Sequence, residues 1–254
     1  MKIDGKVKVN GDTVVKAIMS TYPNGRINLD AIAKNKLYDY LFLFGIRVAT
    51  CNTGLPDDAI GGIRLKKNLL GDDYWEIIFS EATTDPTPYW LVNLMSDAAK
   101  AGGTAWVIEG QWNYGMGGNF KGHPSFRPKE SISVYRWKPT QAQINDARKN
   151  RTPLSADFKK AKESGQVKIG KSIDTLIHRS WSSTSLFKDS AGCQVFANNG
   201  ALNTMYSWAK KHISIYKKND FVYTLLTKEQ FLAANSLPEI STLNIFDNFL
   251  KMKF

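Results

Sequence analysis

Leu41-Phe-Leu-Phe-Gly-Ile-Arg-Val-Ala49 is the stretch on which the fold class turns. Its aromatic and β-branched residues favour an extended strand. The apolar run from Tyr40 to Ile46 is far shorter than the roughly 20 residues that a bilayer-crossing helix needs. Further runs of the same kind follow at Tyr74 to Ser80, Thr104 to Gln111, Ile132 to Trp137, Thr175 to Arg179 and Val222 to Leu226, separated by Gly, Pro, Asn and Asp. Helical patterns interrupt them from Thr140 to Glu163, divided by Pro153, and from Gly200 to Lys211. The expectation is a mainly β chain with a few helices, an α+β protein on a mostly antiparallel sandwich or barrel.

Outward from that core, residues 1–36 read as an N-terminal arm or small lobe, with Asp12 capping a helix through Met19 ahead of a Tyr22-Pro-Asn-Gly25 turn. Thr227-Lys-Glu-Gln230 reads as a capping box, so residues 227–254 form a C-terminal helical extension and residues 37–226 the main domain. Met1 to Val9 alternates polar and apolar residues without the hydrophobic centre of a secretory signal. A protein of this kind that works on cell wall would be virion-associated, or made in the host cytoplasm and delivered to the wall.

The formal net charge is +11, which admits nucleic acid, an anionic membrane or an anionic wall polymer as partner. Positive charge is densest from Lys138 to Lys171, nine Lys or Arg against three acids. That segment lacks the regular aromatics of a single-strand binding groove, so nucleic acid is the weakest of the three. Two cysteines, Cys51 and Cys193, are too few for a disulfide scaffold, and no close Cys/His spacing marks a metal site. Neither a metal nor a cofactor is expected. Cys51 reads as a buried or loop thiol, and a bridge to Cys193 would abolish any thiol chemistry.

Three histidines are present, His123, His178 and His212. His178 ends a strand-like run, and Ser190-Ala-Gly-Cys193 follows after a Ser/Thr-rich spacer that holds Trp181. Small residues before a cysteine let the chain turn tightly and leave main-chain N–H groups open to a substrate oxygen. A thiol needs a base or a cation beside it to attack near neutral pH, and His178 is a base if the spacer folds back. His212, in Lys210-Lys-His212, reads as a helix end. Asp57-Asp58 and Asp72-Asp73 read as loop residues beside turn glycines rather than as the paired carboxylates of a glycosidase. Tyr89, Trp90, Trp106, Trp112 and Tyr114 suit either sugar stacking or a core.

The Ile177-His178 pair followed by Ser190-Ala-Gly-Cys193 resembles the signature of the L,D-transpeptidase catalytic domain, the YkuD-like family. Upstream, Gly45-Ile-Arg47, the Ala82-Thr-Thr-Asp-Pro86 block with Tyr89-Trp-Leu91, Gly110-Gln111, Gly122-His123 and Val134-Tyr-Arg136 are similar in order to a phage-associated branch. The resemblance spans roughly residues 40 to 200. It implies an L,D-transpeptidase-like β-sandwich or barrel with Cys193 as nucleophile and His178 as base. Ser190 and Gly192 would shape the nucleophile loop, with N–H groups near Gly192 and Cys193 as the oxyanion hole. Two departures stand out: Gln194 replaces the usual Arg after the cysteine, and Arg179 replaces the usual Gly after the histidine. Arg179, Gln194, His123 and Trp181 are then the candidate substrate contacts.

The implied activity is a peptidoglycan hydrolase or transpeptidase of endolysin type, phage-encoded, working through a thioester on Cys193, with wall as substrate and virion proteins as further partners. The His-before-Cys order differs from the Cys-before-His order of CHAP and NlpC/P60 enzymes, and a Cys193–His212 pair would restore that other class. The competing reading is a non-catalytic virion or wall-binding protein that keeps the fold and adheres through charge and aromatics.

Overall fold

The computed structural model describes residues 2–3, 7–48, 56–94, 97–150, 154–180 and 190–236. Its first half holds β1 (Lys2–Ile3), β2 (Val7–Lys8), α1 (Gly11–Thr21), α2 (Leu29–Lys34), β3 (Leu41–Arg47), β4 (Asp58–Lys67), β5 (Asp73–Thr83), α3 (Pro88–Val92), α4 (Asp97–Gly102), β6 (Thr104–Val107) and β7 (Gly110–Phe120). The second half holds β8 (His123–Pro128), β9 (Ile132–Trp137), α5 (Gln141–Asn150), α6 (Ser155–Glu163), β10 (Lys168–Ser172), β11 (Ile177–Arg179), β12 (Gln194–Phe196), α7 (Asn199–Tyr216), β13 (Phe221–Thr227) and α8 (Lys228–Ser236).

Eight strands close into a barrel in the order β11-β12-β5-β4-β3-β13-β7-β8. Six of its eight pairings are antiparallel; β11 with β12 and β13 with β3 run parallel. Strand β3 is apolar from Leu41 to Ile46 because both its faces are covered. Leu41 and Leu43 join the interior core with Leu202, Met205 and Ala209 of α7. Phe42, Phe44 and Ile46 turn outward onto Val14, Ile18 and Phe231 of α1 and α8. The first helices, expected as an arm, therefore share a core with the barrel wall. A separate sheet, β10-β9-β6, sends Ala105, Val107, Ile132 and Val134 to the interior core and stacks Trp106 and Trp137 on Phe158 of α6.

Local chemistry places the helices. Asn10, not Asp12, caps α1, accepting from Thr13 N at 2.9 Å while Thr13 Oγ1 accepts from Asn10 N. The Thr227 box forms as expected: Gln230 N donates to Thr227 Oγ1 and Thr227 N to Gln230 Oε1. The glycine-rich run before His123 forms the β7–β8 hairpin, with a bulge between Met116 and Asn119. Among the described residues no helix is long and apolar enough to cross a membrane.

His212 does not fray at a helix end. It is fully buried on α7, its Nδ1 accepts from Leu41 N at 3.0 Å, and its ring packs on Tyr40, Tyr216 and Phe221. Burial, then Lys218, depress its pKa to about 4, against a smaller opposing pull from Asp220. The unfolded chain binds this proton near the ordinary 6.5, so the unfolded state takes up more protons between the two values. Stability is full above pH 6.5 and falls as the pH drops towards 4, by on the order of 3 kcal/mol. Thermal melts of the native chain and His212→Gln between pH 7 and 4 check this; the variant should lose that part of the acid sensitivity.

Candidate active site

The polar part of the barrel interior is organised around Arg47, the last residue of β3 and 2% exposed. Its guanidinium donates to Thr84 Oγ1, Thr84 O, Val107 O and Glu109 Oε1 at 2.7 to 3.0 Å and pairs with Asp85 at 3.1 Å. Burial works against its charge, yet Asp85, Glu109 and Asp58 together hold it firmly protonated. Asp58 accepts from Val48 N, Thr84 N and Thr84 Oγ1. Burial raises its pKa in spite of those donors and Arg47. Asp58 is thus a buried strand residue rather than a loop residue, and the Gly45-Ile-Arg47, Thr84-Asp85 and Glu109 segments, far apart in sequence, meet here.

Gln194 belongs to this interior. It is fully buried, its Nε2 donates to Thr84 O at 3.2 Å and its Oε1 accepts from Tyr223 Oη at 2.8 Å. Both ends of the amide are engaged inside the barrel, which corrects its expected place against substrate. Arg179 is half-buried. It is in register with Phe196 and alternates with His178, so it shares the face of Ile177 and Phe196, and its Nε is buried. A contact from Arg179 to a substrate on the His178 face is therefore not what this register provides.

The parallel β11–β12 pair sets the candidate dyad. Ile177 is in register with Gln194 and His178 with Val195, so Cys193 enters β12 beside Leu176, two positions along from the neighbour of His178. Standard strand spacings put their α-carbons about 8 Å apart, within the combined reach of the two side chains. His178 is 1% exposed, its ring packs on Phe120 of the β7–β8 hairpin at 5.0 Å, and its Nδ1 lies 2.7 Å from Arg179 O. A carbonyl can only accept, so Nδ1 carries the hydrogen and Nε2 is the basic nitrogen.

The loop from Ser190 to Cys193 is tied down on three sides. Ser190 Oγ donates to Cys193 O at 2.7 Å and accepts from Gly192 N at 3.3 Å, while Ser190 O accepts from Thr87 N and Thr87 Oγ1. Gly192 sits at φ +114° with Ala105 O at 2.6 Å from where a Cβ would stand, so no larger residue fits without strain. Its N–H is engaged by Ser190, which removes it from the expected oxyanion hole.

No family model, curated protein or solved structure matches this chain.

Cys193 carries a free, half-buried thiol whose Sγ donates to Asp174 O at 3.6 Å. Burial pushes this thiol up to about 11, with Asp174 adding to the rise and a backbone hydrogen bond at Leu176, Arg127 and Lys121 opposing it. At neutral pH it rests as a thiol, and attack requires a base to take the proton as the new bond forms. His123 begins β8 in register with Phe120, on the hairpin that covers His178. His212 is surrounded by Tyr40, Tyr216 and Phe221, none of which lines the space next to Cys193, so a Cys193–His212 pair is not assembled. Trp181 and Cys51 lie outside the described residues.

Arg127, Asp174 and Lys171 carried no signal in the sequence motifs. Arg127 follows Phe126, which pairs with Ile177, and so flanks the start of β11 on the side opposite β12. Asp174, Lys171 and Arg136 line a cavity of about 460 Å³ that opens beside Cys193. Arg136 stood in the quoted Val-Tyr-Arg block, and a basic residue alternating with apolar ones on a short strand was the available clue. Of the aromatics, Trp106 and Tyr114 are core, whereas Trp90 lines the cavity.

Proposed function

We propose that the chain is a cysteine-dependent enzyme that cleaves a stem-peptide amide of bacterial peptidoglycan through a thioester on Cys193. The observation that supports this reading is the β11–β12 register, in which His178 lies on β11 and Cys193 immediately precedes β12, with Nδ1 of the imidazole anchored to the Arg179 carbonyl. A thiol, an imidazole and an acceptor that orients the imidazole are the groups that acyl transfer uses, which supports the reading. The L,D-transpeptidase resemblance of the His178 and Ser190-to-Cys193 segments supports the same roles, and its phage-associated blocks favour a phage-encoded protein.

In this mechanism Cys193 rotates from the Asp174 carbonyl towards His178. Its proton passes to Nε2 as sulfur attacks the amide carbon, and the oxyanion is stabilised by the Cys193 N–H. The C–N bond breaks, His178 gives the proton to the departing amine, and the acyl group remains on sulfur. Water, deprotonated by the same Nε2, then opens the thioester to a carboxylic acid and restores the thiol. Capture by an amine in place of water would be transpeptidation; hydrolysis is the reading adopted here.

Native protein incubated with purified sacculi should release muropeptides with new stem-peptide termini. Muropeptide profiles unchanged across pH 5 to 9 would reject the reading. One feature favours the competing role of a non-catalytic wall or virion protein, namely a thiol held in its neutral form by burial. Sacculus binding retained without any change in muropeptides is its signature.

A further inference from the structure

The cavity beside Cys193 is lined by two cations, Arg136 and Lys171, that no carboxylate among the described residues pairs with. Arg136, half-buried, donates to Gly103 O at 3.1 Å and to Lys171 O at 3.4 Å, and Lys171 Nζ donates to Ser133 Oγ at 2.9 Å. Among the described residues neither forms an ion pair, whereas Arg47, Arg64 and Arg26 all do. The place for Arg136 is built by the backbone. A Cβ on Gly170 would stand 3.0 Å from Arg136 Nε, and one on Gly102 would stand 3.3 Å from its Cδ. Two glycines thus leave a slot in which the guanidinium lies, held by carbonyls that set its direction and leave its charge uncompensated.

The rest of the lining shows what would sit there. Trp90 and Ile173 supply apolar wall, Asn93 and Thr104 supply neutral polar groups, and Asp174 is the lone acid of the lining. Lys121 and Arg127 add positive charge felt at the thiol itself. Among the described residues, Arg136 and Lys171 against Asp174 line a space large enough for an amino-acid side chain or terminus, with the Cys193 sulfur at its edge.

We infer that this cavity is an anion-selecting subsite: Arg136 and Lys171 hold a free carboxylate of the acyl donor, which makes acidic peptides with a carboxylate within about one residue of the attacked carbonyl the preferred substrate class. This rests on the reading of Cys193 as the nucleophile. A planar guanidinium in a fixed slot suits bidentate capture of a carboxylate, and Lys171 adds a point charge.

The test needs no substrate. Iodoacetate and iodoacetamide each form a C–S bond with a thiolate and release iodide, but only the first carries a carboxylate. Their rates at Cys193 are measured at low ionic strength by mapping the alkylated peptide, which separates Cys193 from Cys51. The ratio of iodoacetate to iodoacetamide rate in the folded protein should exceed the ratio in the urea-unfolded protein by about tenfold. Lys171→Gln and Arg136→Gln should each reduce it severalfold, while Lys16→Gln, on α1, leaves it unchanged. Lys171→Gln keeps the experiment decisive if Arg136→Gln fails to fold. A folded ratio equal to the unfolded one, a ratio indifferent to Lys171→Gln, or a Cys193 that neither reagent reaches overturns the subsite. If sacculi are left intact but the ratio behaves as described, the enzymatic reading falls and the anion site stands; if sacculi are cleaved and the ratio is flat, the reverse holds.

Discussion

Cys193→Ala and His178→Gln should each lower sacculus cleavage by about 10³-fold or more, with thermal stability within a few degrees of the native chain. The two residues act as one unit, so the double variant should lose little beyond either single one. The physical reason lies in the thiol. With its pKa at about 11 it is neutral at pH 7, so its reactivity depends on proton transfer to the imidazole during attack and not on a standing thiolate. His178→Gln fills similar space against Phe120 and can still reach the Arg179 carbonyl, but it cannot take a proton. Rate constants on a defined muropeptide give the comparison; His178→Gln at more than a tenth of the native rate would remove the imidazole from the mechanism.

Arg47→Met should cost about 3 to 5 kcal/mol, because breaking a buried pair leaves its partners as uncompensated charges. Asp85, Asp58 and Glu109 all lean on this one guanidinium, and the first two are wholly buried. For a chain of this size the loss appears as a fall in Tm of about 10 °C. The deficit should shrink as the pH is lowered. Asp58 already titrates high, and without Arg47 its folded pKa moves further above the unfolded value. A carboxyl with a raised folded pKa favours the fold when protonated, so the variant regains stability as the pH falls through that value. Melts of both proteins from pH 8 to 4 measure the gap. A Tm deficit independent of pH would mean that the three acids are not the partners left stranded. Because Thr84, which Arg47 holds, also accepts from Gln194, the damage should extend to the strand that follows Cys193.

Much of the barrel was legible because its strands are marked by residues buried on both faces. In the barrel the Leu41 run ends at Arg47, where the interior becomes polar, and in the separate sheet Ile132 to Trp137 is met end to end. Strand β4 escaped notice because Gly61 and Gly62 break its apolar pattern, although each packs closely on a neighbouring strand or on α7. The hairpin β7–β8 was hidden in the same way by Gly115, Gly117 and Gly118. In the site, order along the chain pointed to His178 and Cys193, since a short motif is local. Burial is not local, and that is why Gln194 was assigned to substrate. A two-residue alternation tells which residues share a face, but only the closed barrel tells which face is inside. Arg136 and Lys171 belong to a different sheet from Cys193 and reach its cavity only through the tertiary packing of β9 and β10.

The most direct test of the central claim is to trap the acylated protein. Native chain mixed with soluble muropeptides, quenched in acid within seconds and digested, is read by mass spectrometry at the Cys193 peptide. The account predicts an acyl adduct on that sulfur, labile to hydroxylamine and absent when His178 is replaced by Gln. Cleaved muropeptides together with a Cys193 that stays unmodified at every quench time would contradict it.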